Sequence, residues 1–261
     1  MVVENKPGAG GALGASEVAS AAADGYTLLF PSGSVMTVNQ FVYRKLPYDP
    51  EKDFTPITNA VSSPQVLVVS AQSPYTSIEA LITALRRSSH KLTFGHAGIG
   101  SQSHLANEFF LQQAKVTGMG VPYKGDPPAV VDIIGGNIDF SVISLGASLL
   151  HIKSGKLRAL GVTSPAEIPQ LPGVRPIATV VPDFENAGWF GLVAPTKVPS
   201  AVINKIYQDA KTALEEPELR ARLDTMGFTV VASPPDVMAR AMSVERKRWA
   251  ELVKERNIRS Q

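Results

Sequence analysis

Residues 95–104 read GHAGIGSQSH: three glycines, two serines, a glutamine and two histidines in ten positions. An apolar run, KLTF, precedes them, and a helix-like run, LANEFFLQQA, follows. A turn of small residues between a strand and a helix is suited to holding an anion. The first helical turn carries N–H groups without intrahelical partners and a partial positive charge, and small side chains let an anion come close. Gly98, Gly100, Ser101, Gln102 and Ser103 are the candidates for such a nest, the two serines adding hydroxyl donors. No lysine follows in the manner of a phosphate-binding loop, which argues against a triphosphate. A carboxylate or another small oxyanion needs only the donors. The competing reading, that Ser101 merely caps its own helix, stays open.

The same residues could suggest a nucleophile. GIGSQSH lacks the G-x-S-x-G spacing, and His104 adjoins Ser103 on one helix, where neighbours do not face each other as hydroxyl and imidazole do in a triad. No catalytic residue is assigned, and a Ser/His hydrolase is the rival from another class. His104 reads as a packed or cap-adjacent residue, and His96 as a loop residue. Two other corners share the small, donor-rich character. PSGS offers Ser32, Gly33 and Ser34, and PYKGDPPAVVDIIGG offers Lys124 and Gly125. Lys124 could place a cation beside an anionic ligand or could be a solvated surface lysine. Asp126 reads as a helix cap. PGAGGALG, residues 7–14, lacks the spacing of a dinucleotide fingerprint and reads as a tight turn.

The elements that must position these corners alternate in type. MVVEN, DGYTLLF, PQVLVVS, KLTFG, GMGVP, NIDFSVIS, KLRALGVTS and GWFGLVAP read as strands, DGYTLLF and PQVLVVS as buried ones. ALGASEVASAAA reads as a helix. A second runs over 73–89, with Thr76 and Glu79 as its capping box and Ile78, Leu81, Ile82 and Leu85 as its apolar face. Further helices are expected over about 101–114, from Asp126 to a stop at Gly135–Gly136, and over GASLLHIKSG. At the C-terminal end helices cover 200–215, 217–226 and 234–256, the last with Val237, Ala241, Val244, Leu252 and Val253 on its apolar face. YDPEKDFTPI and the proline-rich stretch 164–184 read as loops. Strands alternating with helices argue for parallel α/β sheets, with ligand corners at strand C-terminal ends.

Composition narrows the classes. The chain has 261 residues, 44% hydrophobic and 18% charged, with a net charge of +2. That suffices for a sizeable core and leaves no basic stripe, so nucleic-acid binding is not expected. There is no cysteine. None of His90, His96, His104 and His151 has the spacing of a helical metal pair, so neither metal nor cofactor is expected.

The corners in this order carry a family resemblance. VVENKPGAGGALGASEVASAAADGYTLLF, YRKLPYDPEKDFTPIT, KLTFGHAGIGSQSHLANEFF, VPYKGDPPAVVDIIGGNIDF, HIKSGKLRALGVTS and WFGLVAPTKVP together resemble the Bug-type, TctC-like extracytoplasmic solute receptors of tripartite tricarboxylate transporters. The resemblance spans essentially the whole chain. It implies a type II periplasmic-binding-protein fold: two α/β domains, joined by two crossover strands, closing on a small organic carboxylate in an interdomain cleft. QVLVVS and GWFGLVAP would be the crossings, giving one domain of 1–72 plus 188–261 and another of 73–187. It further implies residues 98–103 as the carboxylate site of the second domain, with Ser32, Gly33 and Ser34 facing from the first and Lys124 and Gly125 adjoining. A periplasmic, non-enzymatic monomer that serves membrane subunits of a transporter completes the expectation.

Two departures from the family pattern accompany it. The family's first strand and Pro-Ala-Gly-Gly-type loop would lie upstream of Met1, so one βα unit, on the order of 30 residues, reads as missing, and a truncated, non-binding remnant is the rival within the same class. No secretory signal is legible in this chain. The family also often has an acidic or amide residue where this chain has Ile143 and Ser144.

Overall fold

The computed structural model describes residues 2–87 and 91–259; His90 lies outside them, as does the expected end of the helix over 73–89. In chain order the elements begin with a 3-10 turn at Ala9–Gly11 and helices α1 Ala12–Ala19, α2 Gly33–Thr37 and α3 Asn39–Val42. Strand β1 Phe54–Ser70, α4 Ile78–Arg87, β2 Thr93–His96, α5 Gln102–Gln113, β3 Met119–Pro122 and α6 Asp126–Ile134 follow. Then come β4 Ser141–Ser144, α7 Leu145–Lys153, β5 Leu157–Val162, a 3-10 turn at Ile177–Thr179 and β6 Ala187–Pro195. The chain closes with α8 Ser200–Glu215, α9 Pro217–Thr225, β7 Thr229–Val230 and α10 Pro235–Glu255. It divides into two compact units. One holds Met1–Ser62, Trp189–Leu223 and Thr229–Gln261, and the other Ser63–Gly188 and Asp224–Phe228.

In the second unit, β2 and β3 are parallel, with Thr93 opposite Met119 and His96 opposite Pro122. A parallel bridge from Phe94 to Phe140 brings the start of β4 alongside β2. The sheet is not parallel throughout. β4 and β5 flank β1 and both run antiparallel to it, Val66 lying opposite Ile143 on one side and Val162 on the other. Strand–helix alternation sets the direction of β4 and β5 relative to each other, but it does not reveal that β1 is inserted between them. The apolar face expected for α4 is buried in full: Ile78, Leu81, Ile82 and Leu85. Its cap is one residue later than the capping-box pattern suggests. Ser77 Oγ accepts the Ala80 N–H at 3.2 Å, while Glu79 reaches Arg175 instead. The proline-rich stretch 164–184 is anchored by buried Ile168, Leu171, Ile177, Val181 and Phe184.

In the first unit, the core gathers Ala12, Ala15, Val35, Met36, Trp189, Val193, Met238 and Met242. Several expectations fail here for definite reasons. Residues 2–5 form no strand: Val2 and Val3 are exposed and no neighbouring strand pairs with them. DGYTLLF yields only an isolated bridge between Leu29 and Val193, and Phe30 is exposed. Phe54, Thr55, Pro56 and Ile57, read as loop, open the long strand β1, and PSGS runs directly into the short helix α2. The α10 core face is Met238, Met242, Trp249, Leu252 and Val253, while Val237, Ala241 and Val244 are exposed. Two stripes fit the helical period there, and the one with Met and Trp buries more apolar area.

One buried amide orders the strand-exit end of the second unit. Asn107, midway along α5, is fully buried. Its Oδ1 accepts the Val142 N–H at 2.8 Å, and its Nδ2 lies 3.0 Å from Val142 O and 2.7 Å from Ser103 O. The side chain thus supplies both halves of a backbone pairing to β4, doing for Val142 what a neighbouring strand would do. Ser141 Oγ adds a bond to Gly95 O at 2.7 Å, joining β4 to β2 beside it. Replacing Asn107 by Ala would leave both polar groups of Val142 buried without partners, each costing about 1–3 kcal/mol. The expected loss is about 3 kcal/mol, read from urea unfolding, whereas a loss of stability below about 0.5 kcal/mol would contradict this role.

Candidate functional site

Three strands of the second unit end at one corner. β2 stops at His96 and leads into the glycine-serine loop, β3 stops at Pro122 before Lys124–Gly125, and β4 stops at Ser144. The Tyr123 N–H donates to His96 O at 2.8 Å, so the β2 and β3 exits leave side by side.

The loop is shaped by two imidazoles. His96 is the buried last residue of β2, not a loop residue, and His104 is buried in the first turn of α5. Their rings stack with centroids 4.1 Å apart and planes 18° apart. His96 Nδ1 accepts the Gly98 N–H at 3.3 Å, and His104 Nδ1 accepts the Gly100 N–H at 3.1 Å. An imidazole accepts at Nδ1 only when neutral, with its proton on Nε2. Burial favours that form: it lowers the pKa of His96, and it pushes that of His104 down to about 3, with the neighbouring His96 adding to the shift. Gly98 and Gly100 have φ of 117° and 76°, the left-handed region in which a side chain is strained, so glycine is what lets both N–H groups turn back onto the rings. The N–H donors expected for a ligand at these two glycines are therefore spent within the loop.

The serines are likewise engaged. Ser101 is the N-cap of α5, its Oγ accepting the His104 N–H at 3.3 Å, as the capping reading holds. Ser103 is buried. Its Oγ accepts the Ala97 N–H at 3.0 Å and donates to Asp126 Oδ1 at 2.9 Å. No serine hydrogen is directed at an imidazole in this pattern, which is not the geometry of a hydrolase dyad. Asp126 is not the cap of α6. Gly125 holds that position with φ of 102°, and Asp126 follows as the first helical residue ahead of Pro127. Its carboxylate instead gathers the strand ends: besides Ser103, it accepts Ser144 Oγ at 2.5 Å and Ser144 N at 3.3 Å on Oδ2. Ser144 lies where the family pattern often has an acidic or amide residue, and its polar contact runs to Asp126. Lys124 is exposed, and Gln102 packs its chain over Gly188.

The structure thus brings Gly98, Gly100, Ser101, Gln102, Ser103, Lys124 and Gly125 to one corner. Ser32, Gly33 and Ser34 belong to the other unit. There Ser32 starts α2 and bridges Phe190, and Gly33 lies against the Trp189 indole so closely that a Cβ would come within 2.6 Å of Nε1. That Nε1 donates to Glu245 at 2.8 Å, and Thr37 Oγ1 donates to Gly33 O at 2.8 Å. Burial raises the pKa of Glu245, while the Trp189 and Trp249 indoles bond its charged form. Sequence reasoning missed Asn107, Glu245 and the joining role of Asp126. An aspartate just inside a helix start looks the same whether it caps that helix or reaches a strand end elsewhere.

With this geometry in view, the chain's relatives are informative. The family described as tripartite tricarboxylate transporter family receptor matches residues 1–258. A UPF0065 protein from the tcbD-tcbE intergenic region of Pseudomonas sp. (strain P51) is 36% identical over 257 residues, covering 98% of this chain and 76% of its own length. A structure of an R. palustris protein with adipate matches with a TM-score of 0.86 at 32% identity, over 97% of this chain and 85% of that one. MatC from Rhodopseudomonas palustris with bound malate matches with a TM-score of 0.80 at 29% identity, over 94% and 85% of the two chains. The type II periplasmic-binding-protein fold expected from the resemblance is the fold of this chain.

The buried histidines make a testable contribution to acid sensitivity. Between about pH 6.5, the unfolded value, and about 3, where folded His104 titrates, the unfolded chain binds a proton that the folded chain does not. Stability from this group is complete above that window and falls with pH through it, by up to about 1.4 kcal/mol per pH unit. In H104N the amide oxygen replaces Nδ1 as the acceptor without titrating. Urea midpoints measured from neutral pH down to about pH 5 should fall less steeply for H104N than for the wild type, and parallel slopes would contradict the assignment.

Proposed function

We propose, since this chain belongs to the tripartite tricarboxylate transporter family of receptors, that it captures a small organic carboxylate and presents it to the membrane subunits of such a transporter. Members of the family are extracytoplasmic receptors, and the periplasm is the compartment we assign to this one. We take it to act as a monomer and to bind its ligand without transforming it. The observation that carries the reading is the strand-end corner of the second unit, where Ser101, Gln102, Gly125, Ser103, Asp126 and Ser144 converge. α/β sheets take their ligands at such strand C-terminal ends. The residues there are small and polar and are held in place by one another.

Support also comes from the relatives. Proteins about as similar as 29–32% over nearly the whole chain hold adipate in one case and malate in another. Both are small dicarboxylic acids. Ser32, Gly33 and Ser34 are proposed as the first unit's contribution, with Gly33 kept small by the Trp189 ring beneath it. Lys124 adds a cation near the second-unit corner.

Differential scanning fluorimetry against a panel of mono-, di- and tricarboxylates tests the reading. A ligand present at a hundred times its Kd stabilises the folded state by about 2.7 kcal/mol, so at least one acid should raise the melting temperature clearly. A well-folded sample that no carboxylate stabilises would contradict it.

A further inference from the structure

We infer that Asp126 sets the ligand chemistry of the second-unit corner, selecting acids that carry a hydroxyl or ammonium donor near the carboxylate over the corresponding unsubstituted acids. The inference rests on the receptor reading above and deepens it.

Three observations lead to it. First, the corner's own donors are largely consumed. The Gly98 and Gly100 N–H groups go to imidazoles, the Ser103 hydrogen goes to Asp126 Oδ1, and both the hydroxyl and the N–H of Ser144 go to Asp126 Oδ2. Second, the group they converge on is itself a carboxylate. It occupies the centre of the donor cluster, where a ligand carboxylate would otherwise find its partners. Third, Asp126 is only partly buried, and its acceptor capacity is not exhausted. A carboxylate oxygen has two lone pairs, and Oδ1 takes one donor, from Ser103.

The polarity of the corner is therefore the reverse of what its composition suggests. It looks rich in donors, yet it presents a charged acceptor. A second carboxylate brought there would face like charge at short range, with the serine hydrogens already committed. A hydroxyl or ammonium hydrogen would instead make a charge-assisted bond to Oδ1. The ligand carboxylate is left to the positive start of α5 and the Lys124 ammonium. Charge-selective exclusion of this kind discriminates between near-identical acids by repulsion as much as by attraction.

The test uses acids that differ only in one substituent: succinate, malate and aspartate as one series, and glutarate, 2-hydroxyglutarate and glutamate as another. Titration calorimetry near neutral pH compares wild type with D126N, whose folding is checked by its melting curve. The wild type should bind a hydroxy or amino member at least about tenfold more tightly than its unsubstituted counterpart. D126N should reduce that preference to less than about threefold and gain affinity for the unsubstituted acid. Wild type binding the unsubstituted acid as tightly as the others, or D126N keeping the full preference, would overturn the assignment. The wild-type ratio decides alone should D126N not fold. If unsubstituted acids alone bind, the receptor reading stands and this one falls. If no acid binds in the wider carboxylate panel, both fall together.

Discussion

The arrangement of the second unit's corner depends on the carboxamide of Asn107. A helix packed on a sheet by apolar contacts alone can slide or rotate by small amounts at little cost. Asn107 removes that freedom, because its amide completes the backbone pairing of Val142 and returns to Ser103 O on its own helix. Breaking either bond strands a buried polar group, so the position of α5 against β4 is fixed to hydrogen-bond accuracy. Everything nearer the strand exits inherits that accuracy. Ser103 is one turn before Asn107 on the same helix, and its hydroxyl meets Asp126 because the helix cannot shift. The Phe94, Phe110 and Phe140 rings, packed against one another with Phe184, fill the space behind.

Neutral histidine is the second constraint. A glycine-rich turn ordinarily has a large conformational entropy to lose on binding. Here two stacked imidazoles hold its N–H groups before any ligand arrives, and burial keeps those rings unprotonated. The loop is thus organised in advance at the expense of its own donors. A receptor gains affinity when its ordering cost is met during folding and not during binding. The consequence is that the polar groups left at the corner are chiefly side chains, with Asp126 the charged one among them.

The sequence was a good guide to what periodicity and punctuation specify. The face of α4, the extent of α5 and the stops at Gly136 and Gly155 follow from spacing and small residues alone. It was a poor guide wherever two elements distant in sequence decide the outcome. Asp126 satisfies the rules for a cap, yet its oxygens are claimed by Ser103 and Ser144, both placed by tertiary packing. α10 carries two stripes of helical period, and the indole of Trp249 decided which one turned inward. DGYTLLF has the composition of a core strand but finds only Val193 to pair with. The direction of each hydrogen bond in the corner was not legible either. Serine donates and accepts equally well, and only its neighbours determine which.

Amide hydrogen exchange with and without a saturating acid ligand tests the central claim most directly, because it reports where on the chain the ligand acts. Added protection is expected in the peptides covering 97–104, 123–127 and 143–146, the three strand exits joined by Ser103, Asp126 and Ser144. Protection confined to other segments, with these three unchanged in a protein that demonstrably binds the acid, would contradict it.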